Sequence, residues 1–194
     1  MAEGERQVLS EPERIRALAH PLRLQLLELL KEHGDLTASE CAGLTSESVA
    51  SCSFHLRTLE KYRFIERAEP RGREKPWRLL MRTGYSADAD PGIPGSVAAT
   101  AELALLAFHH RAKAVEAAFA RLVDEPPEWV TATSLASFGV WATASEMSAL
   151  GDRISALLEP FLGRDDPVNR PDGARRARLM VTIHVDPPVD RETS

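Results

Sequence analysis

Apolar residues recur at helical spacing through the first sixty residues, and this pattern predicts four helices. Leucines three and four positions apart give residues 21–34, PLRLQLLELLKEHG, one apolar stripe, and Gly34 is expected to end that helix. Capping boxes predict two further helix starts, one at Ser10 and one at Thr37. The fourth helix is expected over residues 48–62.

Helical spacing then gives way to alternation, which predicts a pair of strands. FIERAEP and KPWRLLMR each place apolar and charged residues in turn, and the segment EPRGRE between them predicts the bend. The alternating positions are Ile65, Trp77, Leu79 and Met81 on the apolar side, with Arg78 and Arg82 on the polar side.

The second half of the chain repeats helix and strand patterns after a linker. Residues 87–95 carry two prolines and two glycines without an apolar period, which is typical of a linker. A long helix is then expected over about 96–123 and a strand over 134–142. A capping box at Thr143 begins a further helix, and residues 177–185, ARLMVTIHV, alternate as a strand does.

Composition indicates a folded protein without a membrane segment. Hydrophobic residues make up 43% of the 194 residues and charged residues 27%, which favours a packed core. No stretch approaches the run of about 20 apolar residues that spans a bilayer, and the N-terminus is polar, so we expect a cytoplasmic protein. Cys41 and Cys52 are too few for a disulfide framework and are expected to be buried.

Positive charge is concentrated in one short stretch. The formal net charge of the chain is −5, which argues against a wholly basic nucleic-acid binder. Residues 57–82 nevertheless contain nine Lys and Arg against four Asp and Glu, a local net charge of +5. This stretch begins inside the fourth predicted helix and continues through the predicted hairpin.

The fourth helix has two faces of different chemistry. Its core face is expected to carry Val49, Cys52, Leu56 and Leu59, and its outer face Ala50, Phe54, Arg57, Thr58 and Lys61. A helix in the DNA major groove needs small residues for close approach, hydroxyls, an apolar contact for thymine methyl groups, and cations for phosphates. A short capped helix, a turn and this helix make a helix-turn-helix unit, and the hairpin after it makes a wing.

The predicted fold class is mainly α with a small β component. An N-terminal winged helix-turn-helix domain, residues 1–86, is followed by the linker 87–95. An α+β C-terminal region, residues 96–194, contains a long dimerisation helix. The apolar stripe of that helix requires a partner, which favours a place in a dimer interface.

Two motifs resemble those of ArsR-type bacterial transcriptional regulators. Those regulators typically show A-L-x-[DH]-P-x-R-L-x-[IL]-L before a recognition helix that ends in S-x-H-L-x-x-L, and here the matching residues are Ala17–Leu27 and Ser53–Leu59. The resemblance covers about residues 10–82 and implies a homodimeric, sequence-specific DNA binder. It also implies that Ser53 and His55 lie at the DNA interface, whereas helical geometry leaves His55 on the flank, with a phosphate contact and a packed role both open.

The resulting candidate site is a DNA-binding surface, with no catalytic, cofactor-binding or metal-binding residues assigned. Arg71, Arg73 and Lys75 surround Gly72 in the wing and are expected to reach the DNA backbone. The predicted DNA-binding residues are Ser48, Ser51, Ser53, Phe54, His55, Arg57, Thr58, Lys61, Arg71, Arg73 and Lys75.

The sequence departs from the metal-sensing members of that family. Their short helix carries a cysteine pair, but here it carries Cys41 alone, and a two-thiolate site would require both Cys41 and Cys52 to leave the core. His109 and His110 are adjacent in the long helix, so their side chains point about 100° apart and cannot chelate one ion together. We therefore expect no metal and no cofactor.

The second half offers fewer functional signals. Trp129, Phe138, Trp141 and Phe161 either enclose a pocket for an effector or form an ordinary core, and no residue pattern specifies a ligand. The partners we expect are double-stranded DNA, a second copy of the chain, and an unidentified small-molecule or protein effector.

Three functional classes are compatible with the fold to different degrees. A homodimeric repressor bound to a pseudo-palindromic operator accounts for the cations, the outward Phe54 and the wing. A winged-helix protein-interaction module without its own operator is the alternative, because the second half is acidic. An enzyme is disfavoured, since the sequence shows no phosphate loop, nucleophile elbow or metal-ligand set.

Overall fold

The computed structural model describes residues 7–80, 85–164 and 166–186. By their internal contacts the residues form two compact units, Met1–Ser134 and Leu135–Ser194. The predicted division into DNA-binding, linker and dimerisation segments concerns function, and it stays a prediction. Each unit is described by itself below.

The first unit contains the four predicted N-terminal helices. They are α1 Pro12–Arg16, α2 Pro21–His33, α3 Ala38–Leu44 and α4 Val49–Lys61. Gly34 follows α2 with a φ of +79°, which ends the helix as expected. The capping box of α3 is confirmed, because the Thr37 N–H donates to Glu40 Oε2 at 2.6 Å and the Glu40 N–H donates to Thr37 Oγ1 at 3.2 Å.

The capping box predicted at Ser10 is wrong. Helix α1 begins at Pro12, its N-cap residue is Glu11, and no side chain caps it. Ser10 lies one position too early, because Pro12 occupies the first helical position, where its fixed φ fits the helix and its missing N–H would have had no partner. The pattern S-E-P-E therefore located the helix to within one residue but misassigned its cap.

In the described part of the chain, four short strands form two separate two-stranded sheets. They are β1 Gln7–Leu9, β2 Ile65–Arg67, β3 Trp77–Leu79 and β4 Tyr85–Ala87. The predicted hairpin is confirmed by antiparallel pairing of β2 with β3, in which Ile65 lies opposite Leu79. Leu36 adds a bridge to Trp77, with N–H to O distances of 3.0 and 2.8 Å, and so ties the wing to the loop before α3. Met81 and Arg82, also assigned to this strand, lie outside the described residues.

The parallel pairing of β1 with β4 was not predicted. Gln7 lies opposite Tyr85 and Leu9 opposite Ala87, so the pair joins segments more than seventy residues apart. Each strand has three residues, which is too short for an alternating pattern to indicate it. Leu9, the last residue of β1, is fully buried in the core.

The long helix of the second half is confirmed as α5, Ser96–Ala120. Its first turns pack against α1 and α2, and Ala99 and Leu103 are buried in the same core as the helix-turn-helix. Glu28 of α2 receives both His110, with Nε2 to Oε2 at 2.9 Å, and an ion pair from Arg111. Helix α5 thus packs on the helix-turn-helix from its first turn to Arg111.

One core holds the first unit together. Its fully buried large side chains come from α1, α2, α4, the hairpin and α5. After α5 the first unit continues through a 3-10 turn, Leu122–Asp124, and a short helix α6, Pro127–Ala132, that was not predicted. The part of the core under α4 is what orients the candidate site.

The second unit contains one predicted helix and two segments that were expected to be strands. Helix α7, Ala144–Leu158, begins with the predicted capping box, because the Thr143 N–H donates to Glu146 Oε2 at 2.8 Å. The strand predictions for 134–142 and 177–185 are wrong for the described residues, which belong to no sheet. Alternation makes a segment suitable for a sheet, whereas a strand also requires a paired neighbour.

The protein is mainly α with a small β component, as predicted, with a winged helix-turn-helix at the N-terminus followed by a long helix. Among the helices that the described residues form, none combines the length and the hydropathy needed to cross a membrane.

Candidate nucleic-acid interface

Helix α4 is seated on the core through one side. Cys52, Leu56 and Leu59 are fully buried, as the helical wheel predicted. Val49 was expected to join them, but it is 48% exposed. It occupies the first residue of α4, beside the equally exposed Leu44 at the open end of the α3–α4 turn, so no other element covers it.

The opposite side of α4 faces outward. Phe54 is 61% exposed, and Arg57 and Lys61 are exposed on the same side. Two backbone contacts orient this face: Arg57 Nε donates to the Ser53 carbonyl at 3.2 Å, and Thr58 Oγ1 donates to the Phe54 carbonyl at 3.1 Å. An aromatic ring, a hydroxyl and two cations therefore share one open surface on a helix whose other side is fixed.

The serines at the start of α4 have different surroundings. Ser48 is the N-cap residue, and its Oγ accepts the Ser51 N–H at 3.1 Å. Ser48 is exposed, while Ser51 and Ser53 are half-buried on the flanks of the helix. The capping bond uses one acceptor site of the Ser48 hydroxyl and leaves its O–H able to donate.

His55 is packed, which agrees with one of the two roles that the sequence left open, and its contact with DNA stays a prediction. Its side chain is only 8% exposed, and its ring lies 4.2 Å from the ring of His20, centroid to centroid. The edge of the Phe54 ring contacts it at 5.1 Å. In this structure His55 therefore supports the exposed face of α4 from behind.

Burial favours the neutral form of both imidazoles. His20 Nδ1 accepts the Leu22 N–H at 3.2 Å and so caps α2, and His55 Nδ1 lies 3.5 Å from Arg23 Nη1. Burial lowers the pKa of His55, and the charges of His20 and Arg23 act in the same direction. Burial likewise lowers the pKa of His20, with a further contribution from Arg23.

Arg23 is a residue of this region that sequence reasoning did not assign. Its Nη2 donates to the Arg16 carbonyl at 3.0 Å, so one side chain of α2 joins the end of α1 to His55 of α4. Within the described part of the chain, its buried Nε has no hydrogen-bond partner. The signal in the sequence was the H-P-x-R segment at 20–23, which was used as a family motif without a role for its arginine.

The wing distributes its cations unequally. Arg71, predicted to contact DNA, instead turns toward its own chain: its Nη2 lies 2.9 Å from Glu40 Oε2 and donates to the Asp35 carbonyl at 3.2 Å. The bend at Gly72, with a φ of +65°, leaves Arg73 and Lys75 exposed beyond that anchor. Hydrogen bonds from Thr37, followed by Arg71, hold the pKa of Glu40 below its ordinary value.

Two other cations of the basic stretch are also occupied within the hairpin. Arg78 pairs with Glu66 at 2.7 Å, and Arg67 stacks on the Trp77 ring with its guanidinium carbon 3.5 Å from the centroid. These contacts stabilise the wing and engage both side chains, although each remains exposed. The local excess of positive charge therefore overstated the number of cations available to a partner.

The cysteines do not form a metal site in this arrangement. Cys41 and Cys52 are free and fully buried, and burial raises the pKa of the Cys41 thiol to about 12. A metal takes the thiolate form, which such a pKa disfavours at neutral pH. Among the described residues, no group of three or more His, Cys, Asp or Glu side chains is arranged to hold an ion.

Of the four aromatic residues considered from sequence, Trp129 is half-buried in the first unit, and the other three, all in the second unit, are exposed. Phe138 is 87% exposed, Trp141 is fully exposed, and Phe161 is 59% exposed. They therefore line no enclosed pocket and belong to no core in the described chain. This observation concerns the second unit by itself.

Comparison with known proteins agrees with the N-terminal fold. Residues 18–68, which are 51 of the 194 residues, match a family model described as a helix-turn-helix domain. The matched segment contains α2, α3, α4 and β2. It supports DNA binding and transcription regulation, and it points to a regulator rather than an enzyme. A search of curated proteins found no significant match.

Proposed function

We propose that the protein is a sequence-specific, DNA-binding transcriptional repressor of the ArsR type that acts as a homodimer on a pseudo-palindromic operator. One observation carries the proposal: α4 is seated by Cys52, Leu56 and Leu59, while Phe54 and two cations stand open on its other side. Burial of such a helix face requires a partner with both apolar and anionic features. The major groove, with thymine methyl groups and flanking phosphates, is such a surface.

The outward residues take different parts in recognition. Phe54 contacts base edges and thymine methyl groups, because an exposed ring gains most where water is displaced from apolar surface. Ser48, Ser51, Ser53 and Thr58 supply hydroxyls at the groove walls. Arg57, Lys61, Arg73 and Lys75 neutralise phosphates and contribute affinity without sequence preference.

Arg71 and His55 act mainly by support in this proposal. Arg71 fixes the wing to α3 through Glu40, so that the hairpin carrying Arg73 and Lys75 is held in position. His55 packs between His20 and Phe54 and keeps the ring of Phe54 turned outward. Both residues remain part of the DNA-binding surface, with weaker direct contact than the sequence suggested.

The homodimer is supported by the outer face of α5. Leu105 and Phe108 are 64% and 48% exposed, and Val115 and Phe119 continue the same apolar strip. Two recognition helices held by such a dimer would enter major grooves about 34 Å apart along the duplex. An effector bound to the C-terminal half would change that spacing and release the operator in the cytoplasm.

Selection of bound genomic fragments by the purified protein tests the proposal. We expect enrichment of a few sites with a shared inverted repeat, and a footprint at each of them. Phe54→Ala should reduce the preference for these sites over scrambled DNA by about a hundredfold, because the dimer loses one base contact in each half-site and each is worth about 1–3 kcal/mol. Fragments recovered without any common sequence would instead favour a protein-interaction module.

A further inference from the structure

The second unit lacks a core of its own. None of its described residues, 135–164 and 166–186, is buried, although α7 and the segments 135–142 and 177–185 are rich in apolar side chains. A unit whose apolar side chains are at most half-buried gains little to offset the entropy of ordering its backbone. The ordered form of this unit therefore requires a covering partner.

Residues 177–185 have the alternating apolar pattern of a strand but pair with no other strand in the described chain. Leu179, Val181 and Ile183 alternate on one side and are 69%, 53% and 42% exposed. Across residues 179–186, no backbone hydrogen bond to any described residue is formed. Ile183 Cδ1 lies 3.7 Å from the position of a Cβ at Gly151, so the apolar side leans on α7 and the strand edges remain open.

We propose that this segment pairs antiparallel with the same segment of a second copy of the chain, with Val181 facing Val181 of that copy across the two-fold axis. The inference rests on the homodimer proposed above and adds a contact that the described fold of one chain does not contain. Because both copies use the same strand edge, this isologous contact satisfies each copy once and ends at a dimer. The remaining apolar side of the ribbon would be covered by the two α7 helices.

Self-complementarity is the reason to choose a second copy over an unrelated partner. In the register centred on Val181, Leu179 lies opposite Ile183, so the apolar side of one strand continues into that of the other. The same register places Arg176 opposite Asp186 at both ends of the ribbon, and the Asp186 side chain is 94% exposed in the single chain. Proline follows Asp186 at once in the sequence, and it would end the ladder there because it lacks an N–H.

Two variants, each with one added cysteine, test the register directly. In Val181→Cys the two new thiols would face each other with Cα atoms about 5 Å apart, which is within disulfide reach. In Thr182→Cys the same residues would be offset along the ribbon to about 8 Å, beyond that reach. The native Cys41 and Cys52 are buried, so wild-type protein serves as the background control.

We expect mild oxidation of the full-length protein to convert most of Val181→Cys to a covalent dimer, at least tenfold more than Thr182→Cys or the wild type. Equal cross-linking of the two variants, or preferential cross-linking of Thr182→Cys, would overturn the proposed pairing. No cross-link in a Val181→Cys protein that sediments as a dimer would overturn it as well.

The failure of this inference is distinguishable from failure of the proposed function. A dimeric protein that protects an inverted repeat but does not cross-link at Val181 retains the repressor assignment and loses only the strand pairing. A protein that sediments as a monomer at the concentrations used for footprinting, and protects no site, would remove the homodimeric repressor and the strand pairing together.

Discussion

The two ends of the molecule use similar sequence patterns with opposite results. In the first unit the amphipathic helices α2 and α4 bury their leucines against each other, and Leu26, Leu56 and Leu59 are fully buried. In the second unit α7 carries a comparable apolar stripe, yet Leu150 and Leu157 remain 40% and 71% exposed. An amphipathic pattern indicates that a face will be covered, but it does not say whether the cover comes from the same chain.

The largest expected effect is a difference in stability between substitutions on the two faces of α4. Leu56→Ala removes a fully buried side chain and should lower the free energy of unfolding by about 2–5 kcal/mol. Phe54→Ala, two residues earlier on the exposed side, should change it by about 0.5 kcal/mol or less while weakening operator binding. Denaturant unfolding of both variants measures this difference, and similar losses for both would contradict the assigned faces.

The next effect distinguishes a core within one chain from a core shared between chains. Amides of α2 and α4 should exchange slowly with solvent at any protein concentration, because their protection comes from the first unit alone. Amides of residues 179–186 should be protected at least tenfold more above the dimer dissociation constant than below it. Hydrogen exchange at two protein concentrations checks both statements, and concentration-independent protection of 179–186 would refute the second.

Acid should weaken the support behind the recognition helix. The pKa values of His20 and His55 lie below the ordinary 6.5, mainly through burial, although Glu47 opposes the shift. The unfolded chain therefore binds more protons as the pH falls through about 6.5. The stability that the neutral imidazoles contribute is fully present above that pH and is lost as the pH falls toward the folded pKa values.

The control for this pH effect keeps the cap and removes the titration. His20→Asn retains an acceptor for the Leu22 N–H, and His55→Gln retains a polar side chain of similar length. Unfolding midpoints between about pH 7.5 and about pH 5.5 should fall less for the double variant than for the wild type. Equal declines would show that other groups govern the acid sensitivity.

The smallest effect concerns the anchor of the wing. Arg71→Ala removes the contact with Glu40, a partly exposed ion pair, and should cost between about 0 and 1 kcal/mol of stability. Arg73→Ala, on the other side of Gly72, should leave stability unchanged because its side chain is exposed. Thermal unfolding of the two variants measures this difference. A larger loss of stability for Arg73→Ala than for Arg71→Ala would contradict the assignment of Arg71 as the residue that anchors the wing.

Local patterns were sufficient for most of the helix-turn-helix. Helical periodicity, the Thr37 capping box and the glycine after α2 each depend on residues within one or two turns, so the sequence alone located α2, α3 and α4. The wing followed for the same reason, since its two strands are adjacent in the chain. The outward face of α4 was predicted because it lies on the side of the helix opposite its apolar residues.

Contacts between distant residues were beyond that reasoning. The stacking of His20 on His55 and the pairing of Arg71 with Glu40 join residues 35 and 31 positions apart, so no short window contains both partners. The parallel pairing of β1 with β4 is more distant still. Residues 177–185 were misassigned for a related reason, because a strand depends on a neighbour that the described chain does not supply.

The central claim, that the exposed side of α4 and the wing bind a DNA duplex, is tested most directly by the salt dependence of operator affinity. The double variant Arg57→Ala/Arg73→Ala removes two phosphate contacts from each protomer of the dimer, and since each contact contributes about 0.9, the slope of log affinity against log salt should fall by about 3.6. Phe54→Ala should weaken binding at every salt concentration and leave the slope unchanged. Equal slopes for wild type and the double variant would contradict the account.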